Sequence, residues 1–165
     1  MNTEPFNLTL RQAVESDSKS LLEWRNDATT KAFSLSSDEV TREQHEAWFN
    51  KTLQDTNCLL IIGEVLGGPV GMVRINILND SGLGQVSINL NPDFRGRGLS
   101  RQLLGYSLLF ATKVFDNVSK YRADIHKENV ASQKIFTSVG FVNSTNTTDG
   151  NFESYVVDSD SVVVS

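Results

Sequence analysis

The chain has 165 residues, and 15 Lys plus Arg against 20 Asp plus Glu leave a formal net charge of −5. That length suits one domain, 1–165, with a single core, and 39% hydrophobic with 21% charged residues excludes disordered, collagenous and coiled-coil classes. The acidic balance argues against a nucleic-acid partner, because phosphate-backbone binding runs on a basic surface.

Met1 to Leu10 has neither a basic n-region nor a long apolar stretch, and no later apolar run approaches a membrane span, so a soluble cytoplasmic protein without a membrane partner is expected. Leu8 to Arg11 alternates like a short half-buried strand. Ser16-Asp17-Ser18 is an N-cap cluster leading into a helix through Leu21 to Arg25. Thr41-Arg42-Glu43-Gln44 fits a capping box and predicts a helix to about Gln54. Cys58 to Ile62 is a continuous apolar run and reads as a central strand buried on both faces, with Cys58 as core. A single cysteine makes no internal disulfide, no cluster has zinc-ligand spacing, and no metal is expected.

After the turn Leu66 to Pro69, Val70 to Leu78 predicts a second strand. Asn79-Asp80-Ser81-Gly82 is the next turn, and Gln85 to Asn91 alternates, with Val86, Ile88 and Leu90 on one face. These three strands form an antiparallel meander that Pro92 stops. Ser100 to Phe115 is an amphipathic helix with Leu103, Leu104, Leu108 and Ala111 at spacings of three and four. Tyr121 to His126 is a strand, Asn129 to Val139 a helix ended by Gly140, and Phe141 onward two closing strands around an Asn/Thr/Gly turn. The order β-α-α-β-β-β-α-β-α-β-β is a mixed α/β or α+β domain with about four helices.

The chemistry concentrates between the strand that Pro92 ends and the long helix, in Arg95-Gly96-Arg97-Gly98-Leu99-Ser100. Glycines permit a sharp turn and close approach to the amides, and free N–H donors at the positive end of a helix dipole make an anion site. Arg95, Arg97 and Arg101 gather cations there in an acidic chain, so a phosphate or pyrophosphate is the expected ligand. A Walker A loop is disfavoured because Leu99 and Ser100 follow Gly98, and a dinucleotide fingerprint because Arg101 stands where a small residue belongs.

The segment Arg95-x-x-Gly98-x-Ser100, together with Asn129-Val130-Ala131-Ser132 through Phe136 and Gly140-Phe141, resembles the GNAT superfamily of acyl-CoA N-acyltransferases. The likeness covers nearly the whole chain, although Ser100 stands where glycine or alanine is usual; a serine there can N-cap the helix. The resemblance implies a GNAT fold whose fourth and fifth strands start paired and then splay. It implies that pantetheine bonds to backbone near Ile88 to Leu90. Pyrophosphate would meet the amides of Arg95, Gly96, Arg97, Gly98, Leu99 and Ser100, while Asn129, Ser132 and Phe136 would line the pantetheine. Acetyl-CoA is then the cosubstrate, attacked directly by a primary amine.

Phe136 and Gln85 occupy positions that in the family often hold an acid tyrosine and a base glutamate, so neither supplies that chemistry here. His126, with Asn129, is the candidate for catalysis; His126 and His45 are the side chains that titrate near neutrality, and either also reads as structural. Trp24-Arg25-Asn26 and His45-x-x-Trp48-Phe49 resemble the branch that acetylates nucleotide-linked amino sugars. Arg25, Asn26, His45 and Trp48 are therefore the expected acceptor contacts, the aromatics stacking on sugar or base and Arg25 meeting phosphate. The same aromatics also read as core. Protein N-terminal acetyltransferases share this layout, and a CoA-binding regulatory module without catalysis is the reading from another class. The sequence leaves open a homodimer, and whether Val156 to Ser165 form a strand that pairs with another subunit.

Overall fold

Strand sequences rich in Ile, Val and Leu build the centre of the molecule, and in the computed structural model, which describes residues 6–78, 81–144 and 150–164, they form one seven-stranded sheet. In chain order the elements are β1 (Leu8–Gln12), α1 (Ser18–Arg25), α2 (Ala28–Ala32), α3 (Arg42–Gln54), β2 (Cys58–Val65) and β3 (Gly68–Leu78), then β4 (Leu83–Leu90), α4 (Leu99–Val114), β5 (Lys120–His126), α5 (Val130–Ser138), β6 (Val142–Asn143) and β7 (Phe152–Asp158). The sheet order is β1-β2-β3-β4-β5-β7-β6, antiparallel throughout except where β4 meets β5. The expected mixed, mostly antiparallel α/β sheet is present.

The two faces of the sheet differ. Leu59, Ile61, Val73, Ile75 and Val86 meet Leu103, Leu104, Leu108 and Ala111 of α4 in the main core, which Phe136 and Phe141 extend. On the other face Leu60 and Ile62 pack with Leu21, Trp24 and Phe49 from α1 and α3. β2 is therefore buried on both sides, as its unbroken apolar run predicts. Cys58 lies at the margin of the second cluster, half-buried, and burial pushes its thiol up to about 11. Arg11 ties β1 to both neighbours, donating to Asp17 at 2.7 and 2.8 Å and to Glu64 at 2.6 Å.

The Thr41 capping box forms as expected, with the Gln44 amide donating to Thr41 Oγ1 at 3.2 Å and the Thr41 amide to Gln44 Oε1 at 3.0 Å. Gly140 (φ 109°) ends α5: its amide bonds the Thr137 carbonyl and the Phe141 amide the Phe136 carbonyl, a Schellman pattern. Three local features differ from the sequence reading or add to it. A short helix at 28–32 is added, capped by Asp27, which accepts the Thr30 amide at 3.2 Å, and the five α-helices among the described residues agree with the expected count of about four. Ser100 does not cap α4; Gly98, with φ 75°, takes the cap position, and Ser100 lies inside the first turn. The closing region is a strand only to Asp158, after which a one-turn 3-10 helix (Ser159–Ser161) leads to a tail whose Val163 amide bonds the Val139 carbonyl at 3.0 Å. Asn79 and Asp80, and most of the Asn/Thr/Gly turn, lie outside the described residues.

Candidate active site

The notch between β4 and β5 organises the site. Parallel pairing covers only Leu83–Lys120, Gly84–Tyr121 and Gln85–Arg122, although β4 continues to Leu90 and β5 to His126. Beyond Gln85 the strands separate. On its other side β4 pairs with β3, and the Asn91 amide donates to the Val70 carbonyl at 2.9 Å. Antiparallel alternation therefore turns the backbone groups of Ser87 and Asn89 toward β3 and those of Ile88 and Leu90 into the notch.

The loop at the end of β4 is held from both sides. Asn91 donates through Nδ2 to the Pro69 carbonyl at 3.2 Å and accepts the Asp93 amide at 3.1 Å. Leu99 is buried with Val65 and Val70, so only its backbone remains to meet a ligand. Gly96 and Gly98 both take φ 75°, and a Cβ built on either would meet nothing within 4 Å. Glycine is required there by backbone conformation, not by space. α4 starts without a side-chain cap, which leaves its first-turn amides at the positive end of the helix.

The three loop arginines do not share one fate. Arg95 Nη2 reaches Asp27 Oδ2 at 2.6 Å and Thr30 Oγ1 at 3.2 Å, so its side chain links the loop to α2. This contact holds the Asp27 carboxyl below the ordinary carboxylate range. Arg97 lies over the Phe94 ring at 4.9 Å, and Arg101 is exposed.

A cleft of about 940 Å³ runs from this loop through the notch to α1, α2 and α3. It joins Ile88, Leu90, Arg95, Gly96, Ser100, Asn129, Ser132 and Phe136 to Arg25, His45, Trp48 and His126. Most of the expected cofactor-binding and acceptor residues line this one space, whereas Asn26, Arg97, Gly98 and Leu99 are not among its lining residues. Asn129 caps α5 through Oδ1, which accepts the Ser132 amide at 3.1 Å. Phe136 is mostly core: it is 2% exposed and packs edge-on to Phe141 at 5.0 Å.

Asn26 is placed elsewhere. Its Nδ2 donates to the Val40 carbonyl at 2.8 Å while its Oδ1 accepts the Val40 amide at 2.8 Å, so both ends of the amide fasten the segment before α3. His45 is 4% exposed, stacked on Phe49 at 5.6 Å and 14°, and burial lowers its pKa while the Ser18 backbone hydrogen-bonds its ring. Its Nε2 and Arg25 Nη1 are buried with no hydrogen-bond partner among the described residues. Trp48 carries Arg74 over its ring at 5.7 Å. His126 sits between Phe33 and Phe152, and its Nδ1 accepts the Glu128 amide at 3.2 Å. The neutral ring therefore carries its proton on Nε2.

One cluster at the notch is absent from the sequence reading. Asp124 Oδ2 accepts Gln85 Nε2 at 3.2 Å, and Oδ1 accepts Ser154 Oγ at 3.2 Å and Arg122 Nε and Nη2 at 3.1 and 3.0 Å. Strand alternation puts Arg122, Asp124 and His126 on one face, but their meeting with Gln85 depends on the register of the expected β4–β5 pairing, Gln85 opposite Arg122, which the sequence reading does not specify.

Residues 7–142 match the family described as acetyltransferase (GNAT) domain. No curated protein matches the chain. Among solved structures, the chain is similar to a spermidine N-acetyltransferase from Vibrio cholerae in complex with CoA and spermine, with TM-score 0.82 and 18% identity over 93% of this chain and 96% of that one. A domain from Methanocaldococcus jannaschii gives TM-score 0.78 and 21% identity over 93% and 99%. An aminoglycoside acetyltransferase in complex with coenzyme A gives 0.79 and 19% over 94% and 96%. At such identities the likeness is one of fold.

Proposed function

Because the chain belongs to the GNAT acetyltransferase family and takes acetyl-CoA as its acetyl donor, we propose that it transfers the acetyl group to the primary amine of a nucleotide-linked amino sugar. The observation that carries this reading is Arg25 Nη1, buried beside the cleft without a partner among the described residues while Nη2 donates to the Ser36 carbonyl at 3.0 Å. A buried guanidinium N–H left unpaired is costly, and a phosphate oxygen is the acceptor that its planar fork suits best. His45 adds a second unpaired nitrogen on an uncharged ring, suited to a sugar or base hydrogen bond, and Trp48 adds an indole face for stacking. Arg25 and Arg74, with Arg95 paired to Asp27, line the cleft against a single lining carboxylate, Asp124, among the described residues. A polycationic acceptor such as spermine, bound by the Vibrio cholerae enzyme, would meet like charge there.

In this reading the amides from Arg95 to Ser100 hold the pyrophosphate, and the backbone of Ile88 and Leu90, with Asn129, Ser132 and the edge of Phe136, holds the pantetheine. The thioester then lies in the notch. Notch-facing backbone amides supply donors for the oxyanion that forms when the amine attacks, and His126 Nε2–H is a further donor at its mouth. Thiolate is a good leaving group, so the lack of a hydroxyl at Phe136 leaves the reaction feasible with proton delivery from water.

The test is thiol release from acetyl-CoA with a UDP-linked amino sugar, spermidine, an aminoglycoside and a peptide with N-terminal alanine. The sugar nucleotide is expected to react fastest, and Arg25→Gln to raise its KM with little change in kcat. Preference for spermidine would overturn the acceptor assignment, and preference for the peptide would favour protein N-terminal acetylation. Tight CoA binding without release to any amine would favour a non-catalytic CoA-binding module.

A further inference from the structure

We infer that Asp124 receives the reacting amine: its carboxylate pairs with the acceptor's ammonium and takes the proton that must leave before nitrogen can attack. The inference rests on the acetyltransferase reading above, but not on the identity of the sugar. Four observations place the group. First, the ladder between β4 and β5 ends at Gln85 and Arg122, so Asp124 is the next side chain on that face of β5, where the notch opens. Second, it is the one carboxylate among the described residues lining the cleft, and an ammonium entering past Arg25 and Arg74 finds its opposite charge there.

Third, the carboxylate is oriented from three strands. Gln85 of β4 donates to one oxygen at 3.2 Å, while Ser154 of β7 and Arg122 of β5 donate to the other at 3.0–3.2 Å. Such fixation is what a positioned proton acceptor needs. Fourth, the other titratable groups of the cleft are less suited. His126 Nδ1 is engaged by the Glu128 amide, which leaves Nε2 as a donor, and His45 stands on α3 among Trp48 and Phe49. Gln85 cannot change charge, but its amide holds the carboxylate of the neighbouring strand across the notch.

The step balances as follows. The ammonium gives one proton to Asp124, which passes it to bulk water. The freed lone pair forms the N–C bond, the carbonyl π pair moves to oxygen and returns, and the C–S bond breaks with its electrons on sulfur. The second proton lost by nitrogen ends on the thiolate, so amide, CoA thiol and one solvent proton are the products.

The experiment compares two nucleophiles in wild type and Asp124→Asn: the panel amine that turns over fastest, charged at neutral pH, and hydroxylamine, which is uncharged there. Affinity for CoA is measured by calorimetry alongside. The substitution should lower kcat/KM for the charged amine by about a hundredfold, lower the hydroxylamine rate several-fold less, and leave CoA affinity unchanged. Ser154→Ala, which removes one orienting bond and keeps the charge, should give the same discrimination with smaller amplitude. Equal losses for both nucleophiles, unchanged rates, or CoA affinity falling in step with rate would overturn the assignment. Failure of the acetyltransferase reading is distinct: no amine, hydroxylamine included, would accelerate thiol release over water, and both conclusions would fall together.

Discussion

The two faces of the sheet do different work. Beneath α4 the interface is closed, an apolar layer in which Leu103, Leu104, Leu108 and Ala111 are fully buried and Tyr121 bonds the Leu108 carbonyl at 3.1 Å. Beneath α1, α2 and α3 the apolar cluster is small, and polar side chains of β3, β4 and β5 open onto a cleft. The larger packed core lies on one side and the open cleft on the other, with the notch between β4 and β5 at the cleft's edge. The proposed cofactor site, built on backbone amides, stands at the junction, and the proposed acceptor half draws on side chains of many elements.

The largest expected contrast is in stability. Leu108→Ala should cost about 2–5 kcal/mol, because it empties volume that packed neighbours cannot refill, whereas Leu21→Ala beside the cleft should fall at the low end of that range. Chemical denaturation of the two variants measures the difference; equal losses would erase the distinction between faces.

Gly98→Asp should reverse the pattern, lowering CoA affinity by about two orders of magnitude for a stability cost of about 1–2 kcal/mol from the left-handed backbone. Its Cβ has open space, so unfolding is not expected. Calorimetry with CoA and a thermal melt check both halves, and unchanged affinity would remove the pyrophosphate from this loop.

His45 gives a pH signature to the cleft side. Burial lowers its pKa below the ordinary 6.5, so the folded state binds its proton less readily than the unfolded chain. That contribution to stability is complete above about pH 6.5 and declines as pH falls toward the folded value. His45→Phe should flatten the stability profile in that window. The Asp17 and Asp27 carboxyls, held down mainly by Arg11 and Arg95, act lower: their stabilisation is present above the ordinary value of 3.8 and is lost on further acidification.

The smallest effect is expected at the link between the halves. Asp27→Asn should change stability by less than about 1 kcal/mol, since the Arg95 partner is 36% exposed and screened. Released from Asp27, Arg95 becomes available to phosphate, and CoA affinity should rise about twofold to fivefold. A fall in affinity would mean instead that Asp27 holds the loop in its binding shape.

Legibility followed the same division. The capping box at Thr41, the alternation of β4, the stop at Pro92, the glycine-rich turn and the end of α5 at Gly140 are local, and each is readable because one or a few neighbouring residues set backbone geometry. The short helix α2 was hidden only by its length, although the Asp27 cap is present in the sequence. Asn26 could not be told from an acceptor contact without seeing Val40 close on both ends of its amide. Asp124 was not a candidate at all, because its meaning depends on a partner 39 residues away.

The sequence by itself determined most of the elements, the mixed sheet and the glycine-rich turn before α4, since periodicity, proline, glycine and caps act through the backbone over a few residues. Tertiary structure alone decided which side chains share the cleft, that Arg95 turns to Asp27 68 residues away, and that a carboxylate on β5 stands beside Gln85. Those arrangements depend on strand order and on where a parallel ladder stops. Both are set by packing of the whole sheet against its helices.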